Sequence, residues 1–356
     1  MSAPSASAVG LRRWRKALAS VVTSRVTAVL MTLAIFALLL RRIRLERLLA
    51  ALAEADYPRF LAVMIPNTVF YFGWDTLVLT VAVRWFHAPV RYWDLRPVRA
   101  SSYVVALFNT NAGRGALAAY LSRRLGSPFL QLGSTVLFLV LTEYMHLVGW
   151  ATVGILAIRS AVPREVLWVP PAIALVWLAV FTYTRAGRVG EENAGPSHEH
   201  GNKARERAER RPEGRWTAHR WLVAPRGWAL LRTFRLAPAR RYFEVVLLRS
   251  PMFFVSLCLH YLAARAFGLE IPFWPMLAFL PVIFMLAALP ITVAHLGTTQ
   301  AAWIFFFGRY APEPRLLAFS LAAHLTFMVT RSVLGLLFLP IAYADLVRPR
   351  QGRVAC

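Results

Sequence analysis

Cysteine is almost missing from this sequence, which has only Cys258 inside an apolar stretch and Cys356 at its C-terminal end. Two isolated cysteines form neither a disulfide framework nor the closely spaced pairs of a zinc site. The sequence therefore excludes a disulfide-stabilised scaffold and gives no support to redox or metal chemistry.

Acidic residues are also scarce, since 17 Asp and Glu stand against 41 Lys and Arg, for a formal net charge of +24. A strongly basic chain can bind nucleic acid, but here the basic residues fall between long apolar stretches. In that arrangement they orient membrane helices and contact anionic lipid headgroups. We therefore expect a membrane protein with no nucleic-acid partner.

Apolar stretches fill most of the chain, which is 58% hydrophobic. A helix needs about 20 residues to cross the hydrocarbon layer of a bilayer. The stretches of that length with few charges lie near 20–40, 60–83, 129–157, 165–184, 250–267 and 316–342. The pattern predicts an all-α, polytopic membrane helix bundle with about six full spans.

Two further apolar segments are interrupted. The segment 101–124 contains "FNTNAGRG", and the segment 273–307 contains several prolines and Gly297. Irregular backbone at membrane depth is tolerated only inside protein or beside a water-filled cavity. We therefore predict that both segments are broken or re-entrant helices that line a common cavity.

Basic loops indicate the organisation of the chain. Residues 185–241 contain fourteen Lys or Arg, and such loops normally stay in the cytoplasm. The sequence thus predicts an N-terminal membrane half (1–184), a basic cytoplasmic loop (185–241) and a C-terminal membrane half (242–356). Both termini are predicted to be cytoplasmic, which leaves "RRIRLER" at 41–47 outside, as an interfacial amphipathic helix.

The two interrupted segments resemble each other. An offset of 182 residues aligns 107–120 with 289–302 and superimposes identical residues at five positions, including Gly115 on Gly297. The same offset brings the flanking spans into correspondence, and the predicted topology has the two halves entering from opposite sides. This is the pattern of an inverted repeat, which in transporters places the substrate site between the repeats.

These segments supply the candidate site. Unpaired N–H groups where each half-helix begins, after Gly113 and Gly115 and after Gly297, would attract an anion such as phosphate. Arg114 either adds a positive charge to this site or extends to the interface beside Arg123 and Arg124. The candidate substrate-binding residues are Asn109, Asn111, Gly113, Arg114, Gly115, Arg123, Glu143, Pro290, His295, Gly297, Thr299, Gln300 and Arg331.

Glu143 stands within a predicted span, where an unpaired charge is costly. We expect an ion-pair partner for it, and Arg331 of the opposite half is the candidate. Such a pair either fixes the assembly of the helices or gates the cavity.

At these residues the sequence resembles the lysylphosphatidylglycerol synthase transmembrane region family, a flippase-like integral membrane domain. The family's Pro-Gly-Arg-x-Gly-Glu type motif corresponds to 111–116, and its second motif corresponds to Pro290 through Gln300. The family's proline is Ala112 here, and its two glutamates are Ala116 and Gln300. The resemblance covers nearly the whole chain, without the aminoacyl-transferase domain that the family can carry.

The resemblance implies a protein of the bacterial cytoplasmic membrane that moves an anionic phospholipid or an isoprenoid-linked lipid between leaflets. The alternative is a non-transporting accessory of lipid or envelope-glycan biosynthesis, whose basic loop would dock a membrane or cytoplasmic enzyme. An intramembrane enzyme is disfavoured because the spans show no nucleophile–base pair, paired carboxylates or metal cluster. We expect no cofactor, and the lack of a phosphate-cradling Gly-x-x-x-x-Gly-Lys-Ser/Thr sequence argues against nucleotide hydrolysis.

Overall fold

The computed structural model describes residues 27, 29–108, 110–159, 168–186, 229–287, 292 and 295–347. Within these ranges all regular secondary structure is helical, which confirms the predicted all-α fold. The helices in chain order are α1 (29–42), α2 (Leu45–Ala53), α3 (Tyr57–Phe86), α4 (Tyr92–Phe108), α5 (Thr110–Leu125), α6 (Phe129–Ala157), α7 (Val169–Ala186), α8 (Arg232–Leu236), α9 (Ala239–Arg265), α10 (Phe273–Ala287), α11 (Thr298–Phe307) and α12 (Glu313–Val347).

Four of these helices, α3, α6, α9 and α12, are long and apolar enough to cross a membrane. At about 1.5 Å per residue each exceeds the roughly 30 Å of the hydrocarbon layer. Helix α3 begins with Asp56 as its N-cap, whose carboxylate accepts a hydrogen bond from the Arg59 backbone N–H at 3.1 Å. Helices α1 and α7 occupy the positions of the other two predicted spans. The predicted membrane bundle is therefore confirmed through its four longest members.

The first interrupted segment forms a helical hairpin of α4 and α5, which we call the first hairpin. The Arg124 side chain, near the end of α5, donates to the Asp94 carbonyl, near the start of α4, at 2.9 Å. The outer ends of the two helices therefore lie together, and their junction near residue 109 is the tip. The predicted interruption is confirmed, but α5 begins at Thr110 and not after Gly113 and Gly115, which lie inside this helix.

Gly113 lies inside α5 at a point where this helix packs closely on α4. A Cβ atom at this position would come within 2.6 Å of the Ala106 Cβ and 2.9 Å of the Ala106 backbone. Glycine is thus required by the close approach of α4 and α5 near the tip, and not by a helix boundary.

The second interrupted segment also forms a hairpin, of α10 and α11, which we call the second hairpin. The ring of Phe279 on α10 stacks on Phe306 near the end of α11, with 4.9 Å between the ring centroids. Helix α11 begins at Thr298, directly after Gly297, whose φ of 91° suits glycine. The prediction that a half-helix begins after Gly297 is therefore confirmed.

Each hairpin packs on a long helix of the other half of the chain. Helix α4 of the first hairpin lies on α12, where a Cβ at Gly335 would approach the Val104 Cγ2 to 2.6 Å. Helix α10 of the second hairpin lies on α6, where a Cβ at Gly154 would approach the Ala278 backbone to 2.4 Å. Helices α3 and α9, the long helices that precede the two hairpins, pack on each other. The contacts between the halves are therefore reciprocal.

The C-terminal part of the predicted loop 185–241 is structured. A short helical turn at Ala229–Leu231 and helix α8 both pack on α6. The buried Thr233 accepts or donates a hydrogen bond with Thr135 at 2.9 Å, and its backbone N–H donates to the Ser134 hydroxyl at 2.9 Å. Residues 187–228, which hold most of the predicted basic loop, lie outside the described residues.

Candidate functional site

A cavity of about 330 Å³ lies between the two halves of the bundle. Its wall includes the tip regions of both hairpins, with Ala106 and Gly113 from the first and Ala287 and Thr299 from the second. The remaining wall comes from the middle of α4 and from the long helices α3, α6, α9 and α12. The expectation that the two interrupted segments line one cavity is therefore confirmed.

The cavity lies near the middle of the long helices. Its lining residues include Tyr71 on α3, Glu143 on α6 and Arg331 on α12, each close to the midpoint of its helix. These helices are long and apolar enough to cross a membrane, and the cavity lies halfway along them. Ionisable groups halfway along a membrane span are costly, and such a position is the basis for a functional-site hypothesis.

Six of the predicted site residues line this cavity together. They come from both hairpins and from both halves of the chain. These residues are Gly113, Arg114, Glu143, His295, Thr299 and Arg331. The structure therefore brings six of the predicted residues together around one cavity.

Two other predicted site residues do not line the cavity but form hydrogen bonds beside it. Asn111 is exposed, and its side-chain oxygen accepts a hydrogen bond from the Arg114 guanidinium at 3.2 Å. The Gln300 side chain is fully buried and accepts a hydrogen bond from the Gly297 backbone N–H at 2.6 Å. Gln300 therefore caps the start of α11, which is the task of a Glu or Gln at the third helical position.

The remaining predicted residues lie apart from the cavity or cannot be placed. Gly115 is on α5 but does not line the cavity, and a Cβ there would meet nothing within 4 Å. Arg123 is exposed in the last turn of α5, at the end of the helix opposite to the tip. Asn109 and Pro290 lie outside the described residues.

The predicted pairing of Glu143 with Arg331 is wrong. The Glu143 carboxylate faces Arg249 of α9, with 3.7 Å between Oε2 and Nη1, and Tyr71 donates to its other oxygen at 3.4 Å. Arg331 instead stacks on aromatic rings, with its guanidinium carbon 3.7 Å from the Tyr103 ring centroid and 5.0 Å from that of Phe327. The aromatic faces stabilise the Arg331 cation.

Arg249 is a site residue that sequence reasoning missed. It stands one residue before the predicted span 250–267, where it looks like an ordinary flanking cation. Helix α9 in fact begins ten residues earlier, at Ala239, so that Arg249 is inside the helix and only 2% exposed. The apolar run "VVLL" at 245–248 was the available signal that the span begins earlier.

A second ion pair in the wall was also missed. Arg99 on α4 donates to the buried Asp75 on α3, with 2.5 Å between Nε and Oδ2, and the Tyr103 hydroxyl donates to the same carboxylate at 3.2 Å. The lone acidic residue within the apolar span 60–83 was the signal for this pair. It joins the first hairpin to α3 beside the cavity.

The cavity has an excess of positive charge. Four arginines line it, namely Arg99, Arg114, Arg249 and Arg331, against the carboxylates of Asp75 and Glu143. With the histidines neutral, the formal charge of the lining is positive by two. Much of the remaining lining is apolar, including Leu139, Leu147, Met252, Phe284 and Phe327. Such a lining suits an anionic group attached to an apolar chain.

Metal binding finds no support in the described ranges, where no three His, Cys, Asp or Glu side chains gather as a possible ion site. Glu143 and His146 share a face of α6, but the neighbouring charged group is Arg249, a cation. Arginine repels a metal ion and binds anions.

The chain was compared with protein-family models and with curated proteins, and neither comparison found a match. The resemblance to the lysylphosphatidylglycerol synthase transmembrane region stays a prediction. The cavity itself is therefore the basis for any functional conclusion.

Proposed function

We propose that this protein binds the anionic headgroup of a lipid in the cavity and moves that lipid between the two leaflets of a membrane. The observation that carries the proposal is an excess of positive charge halfway along membrane-length helices, in a cavity that both hairpin tips line. A positive cavity at this depth is costly unless an anion compensates it.

Arg114 is the residue on which the proposal depends most directly. It lies at the tip of the first hairpin and lines the cavity, so the alternative in which it extends to the interface with Arg123 and Arg124 is not favoured. Its hydrogen bond to Asn111 orients the guanidinium, which can bind phosphate oxygens in a bidentate manner. The apolar lining beside it suits the first carbons of an acyl or isoprenoid chain.

Alternating exposure of the cavity is the transport mechanism we propose. Helices α3–α6 and α9–α12 share one order of elements, a long helix, a hairpin and a second long helix, and each hairpin packs on the other half. These reciprocal contacts support an inverted repeat, in which rocking of one half against the other opens the cavity to one side at a time. The basic loops and the resemblance favour a bacterial cytoplasmic membrane with both termini inside.

The test is a translocation assay with the full-length protein in liposomes that contain fluorescent phosphatidylglycerol. Wild type is expected to bring labelled lipid from the inner leaflet to an external quencher. Arg114→Ala is expected to slow this about tenfold or more, because it removes hydrogen bonds from a charged donor to the headgroup. Arg123→Ala is the matched control, since it removes the same charge from an exposed position of the same helix.

Mass spectrometry of lipids that co-purify with the same three proteins gives a second readout. A specific anionic or isoprenoid-linked lipid that is present in wild type and Arg123→Ala but lost in Arg114→Ala supports the proposal and names the substrate. Equal, bulk-like lipid in all three, together with no translocation, contradicts transport. That result favours the accessory function, with the basic segment 185–241 as its docking surface.

A further inference from the structure

Arg249 has hydrogen-bonding capacity that the protein does not use. Its Nη2 donates to the Leu139 carbonyl at 3.1 Å, which fixes the guanidinium against α6. Its Nε and Nη1 are buried and have no hydrogen-bond partner, and the 3.7 Å between Nη1 and the Glu143 carboxylate is too long for one. A buried cation with unmet donors is strongly destabilising unless a ligand supplies acceptors.

His146 lies beside this unsatisfied cation. Its imidazole lines the cavity, is 2% exposed, and has no hydrogen-bond partner at either ring nitrogen. The imidazole packs edge-on against the ring of Phe253, with 5.7 Å between the ring centroids. Phe253 lies one turn after Arg249 on α9. A neutral imidazole keeps one N–H that can donate to an anion. Two elements of the bundle thus bring unused donors to one part of the cavity.

The Asp75–Arg99 pair in the same cavity shows what a closed ion pair looks like. There both Nε and Nη2 of Arg99 approach one carboxylate oxygen to 2.5 Å, and Tyr103 adds a further hydrogen bond to it. In the Glu143–Arg249 pair the guanidinium nitrogen stays 3.7 Å from the carboxylate oxygen, and the Glu143 side chain is 32% exposed. The first pair fixes the wall, whereas the second leaves its cation available.

We propose that Arg249 and His146 form a phosphate-binding subsite and that Glu143 is an internal anion that the bound phosphate displaces. This inference rests on the proposed function and specifies which side chains hold the headgroup. Bound phosphate oxygens would accept hydrogen bonds from Nε and Nη1 of Arg249 and from the His146 imidazole. Glu143 would then keep its contact with Tyr71, while its charge opposes binding.

The test measures binding of short-chain phosphatidic acid and of inorganic phosphate to the detergent-solubilised full-length protein. Arg249→Lys keeps the charge but loses the fork of donors, so we expect about tenfold or weaker binding of phosphatidic acid. Glu143→Gln removes the competing anion while keeping the size of the side chain, so we expect tighter binding, by about threefold or more. Arg265→Gln is the control, because Arg265 is an exposed cation at the end of the same helix.

If Arg249→Lys folds poorly, the thermal unfolding temperature of the other proteins, measured with and without phosphatidic acid, still tests the proposal. Glu143→Gln leaves Arg249 without its internal anion, so the variant is expected to unfold earlier without ligand and to gain more stability than wild type from phosphatidic acid. Unchanged or weaker binding by Glu143→Gln overturns the displaced-anion role. Unchanged binding by a folded Arg249→Lys overturns the subsite.

Comparison of phosphatidic acid with inorganic phosphate distinguishes a lipid headgroup from free phosphate as the ligand of the subsite. Tighter binding of phosphatidic acid than of inorganic phosphate supports the subsite as a lipid headgroup site, whereas equal binding supports it as a site for free phosphate. If wild type binds neither, both the subsite and the proposed function fail. If Arg114→Ala weakens lipid binding but Arg249→Lys does not, the subsite alone fails.

Discussion

The two hairpins hold equivalent places in the bundle but contribute different chemistry to the cavity. The first hairpin brings charged side chains, with Arg114 near its tip and Arg99 on α4. The second brings neutral groups, since α10 reads "FWPMLAFLPVIFMLA" and the cavity receives His295 and Thr299 from its tip region. Two hairpins in similar positions therefore give the cavity one charged and one neutral part of its lining.

The tips also differ in how their backbone is held. In the first hairpin, α4 and α5 follow each other almost directly, and the close contact of Gly113 with Ala106 brings them together. In the second, α10 and α11 are separated by residues 288–297, and the start of α11 is tied by local hydrogen bonds. These include Thr298 and Thr299 donating to the His295 carbonyl, each at 3.1 Å. The first tip depends on packing and the second on capping.

The docking of each hairpin on the opposite half should be the contact that is most sensitive to substitution. Gly154→Ala would place a Cβ 2.4 Å from the Ala278 backbone, which cannot move without shifting α10. Gly335→Ala first meets the side chain of Val104, at 2.6 Å, although the Ala100 carbonyl follows at 2.8 Å. We expect a loss of about 2–3 kcal/mol for Gly154→Ala and a smaller loss for Gly335→Ala.

The free energy of unfolding in mixed micelles of increasing denaturing detergent measures this difference. Gly149→Ala is the control, because a Cβ at that position of α6 meets nothing within 4 Å. Equal stability of Gly154→Ala and Gly149→Ala would show that the second hairpin does not depend on its close contact with α6.

Substitutions at the tip of the first hairpin should give the next largest loss of stability. Gly113→Ala forces a Cβ against Ala106 and should cost about 1–2 kcal/mol and displace Arg114, which is the next residue. Gly115→Ala meets open space within the same helix and should be neutral or stabilise the helix by about 0.5–1 kcal/mol. Unfolding and phosphatidylglycerol translocation are measured for both. Reduced translocation by Gly115→Ala alone would contradict packing as the reason for the glycine.

Sequence patterns predicted the parts of the fold that depend on local chemistry. Apolar length identified the four long helices, and the Asn, Gly and Pro interruptions identified both hairpins. Gly297 marked a real helix start, because its positive φ requires a residue without a Cβ. Gly113 and Gly115 misled the same reasoning: Gly113 serves close packing against Ala106, and Gly115 lies inside the helix with open space around it. A sequence alone does not show which neighbour approaches a glycine.

Pairings between distant helices could not be predicted in the same way. Glu143 needed a partner, but the choice between Arg249 and Arg331 depends on which helices are neighbours, and helix order in a bundle is a tertiary property. The burial of Arg249 was equally difficult to predict. In a sequence, a cation that flanks a span looks like a cation inside it, unless the apolar residues before the cation are counted as part of the span.

Substitution of Gln300, which caps α11 in the second hairpin, should give the smallest loss of stability. The resemblance predicts glutamate at this position. Gln300→Met keeps the size of the side chain but removes the oxygen that accepts from the Gly297 N–H, so it should cost about 1 kcal/mol. Gln300→Glu keeps an acceptor and places negative charge at a helix N-terminus, where the helix dipole stabilises it. We expect it to lose less stability than Gln300→Met in the same unfolding assay. If the two variants are equally unstable, the hydrogen bond to the Gly297 N–H is not the reason for a Gln side chain at position 300.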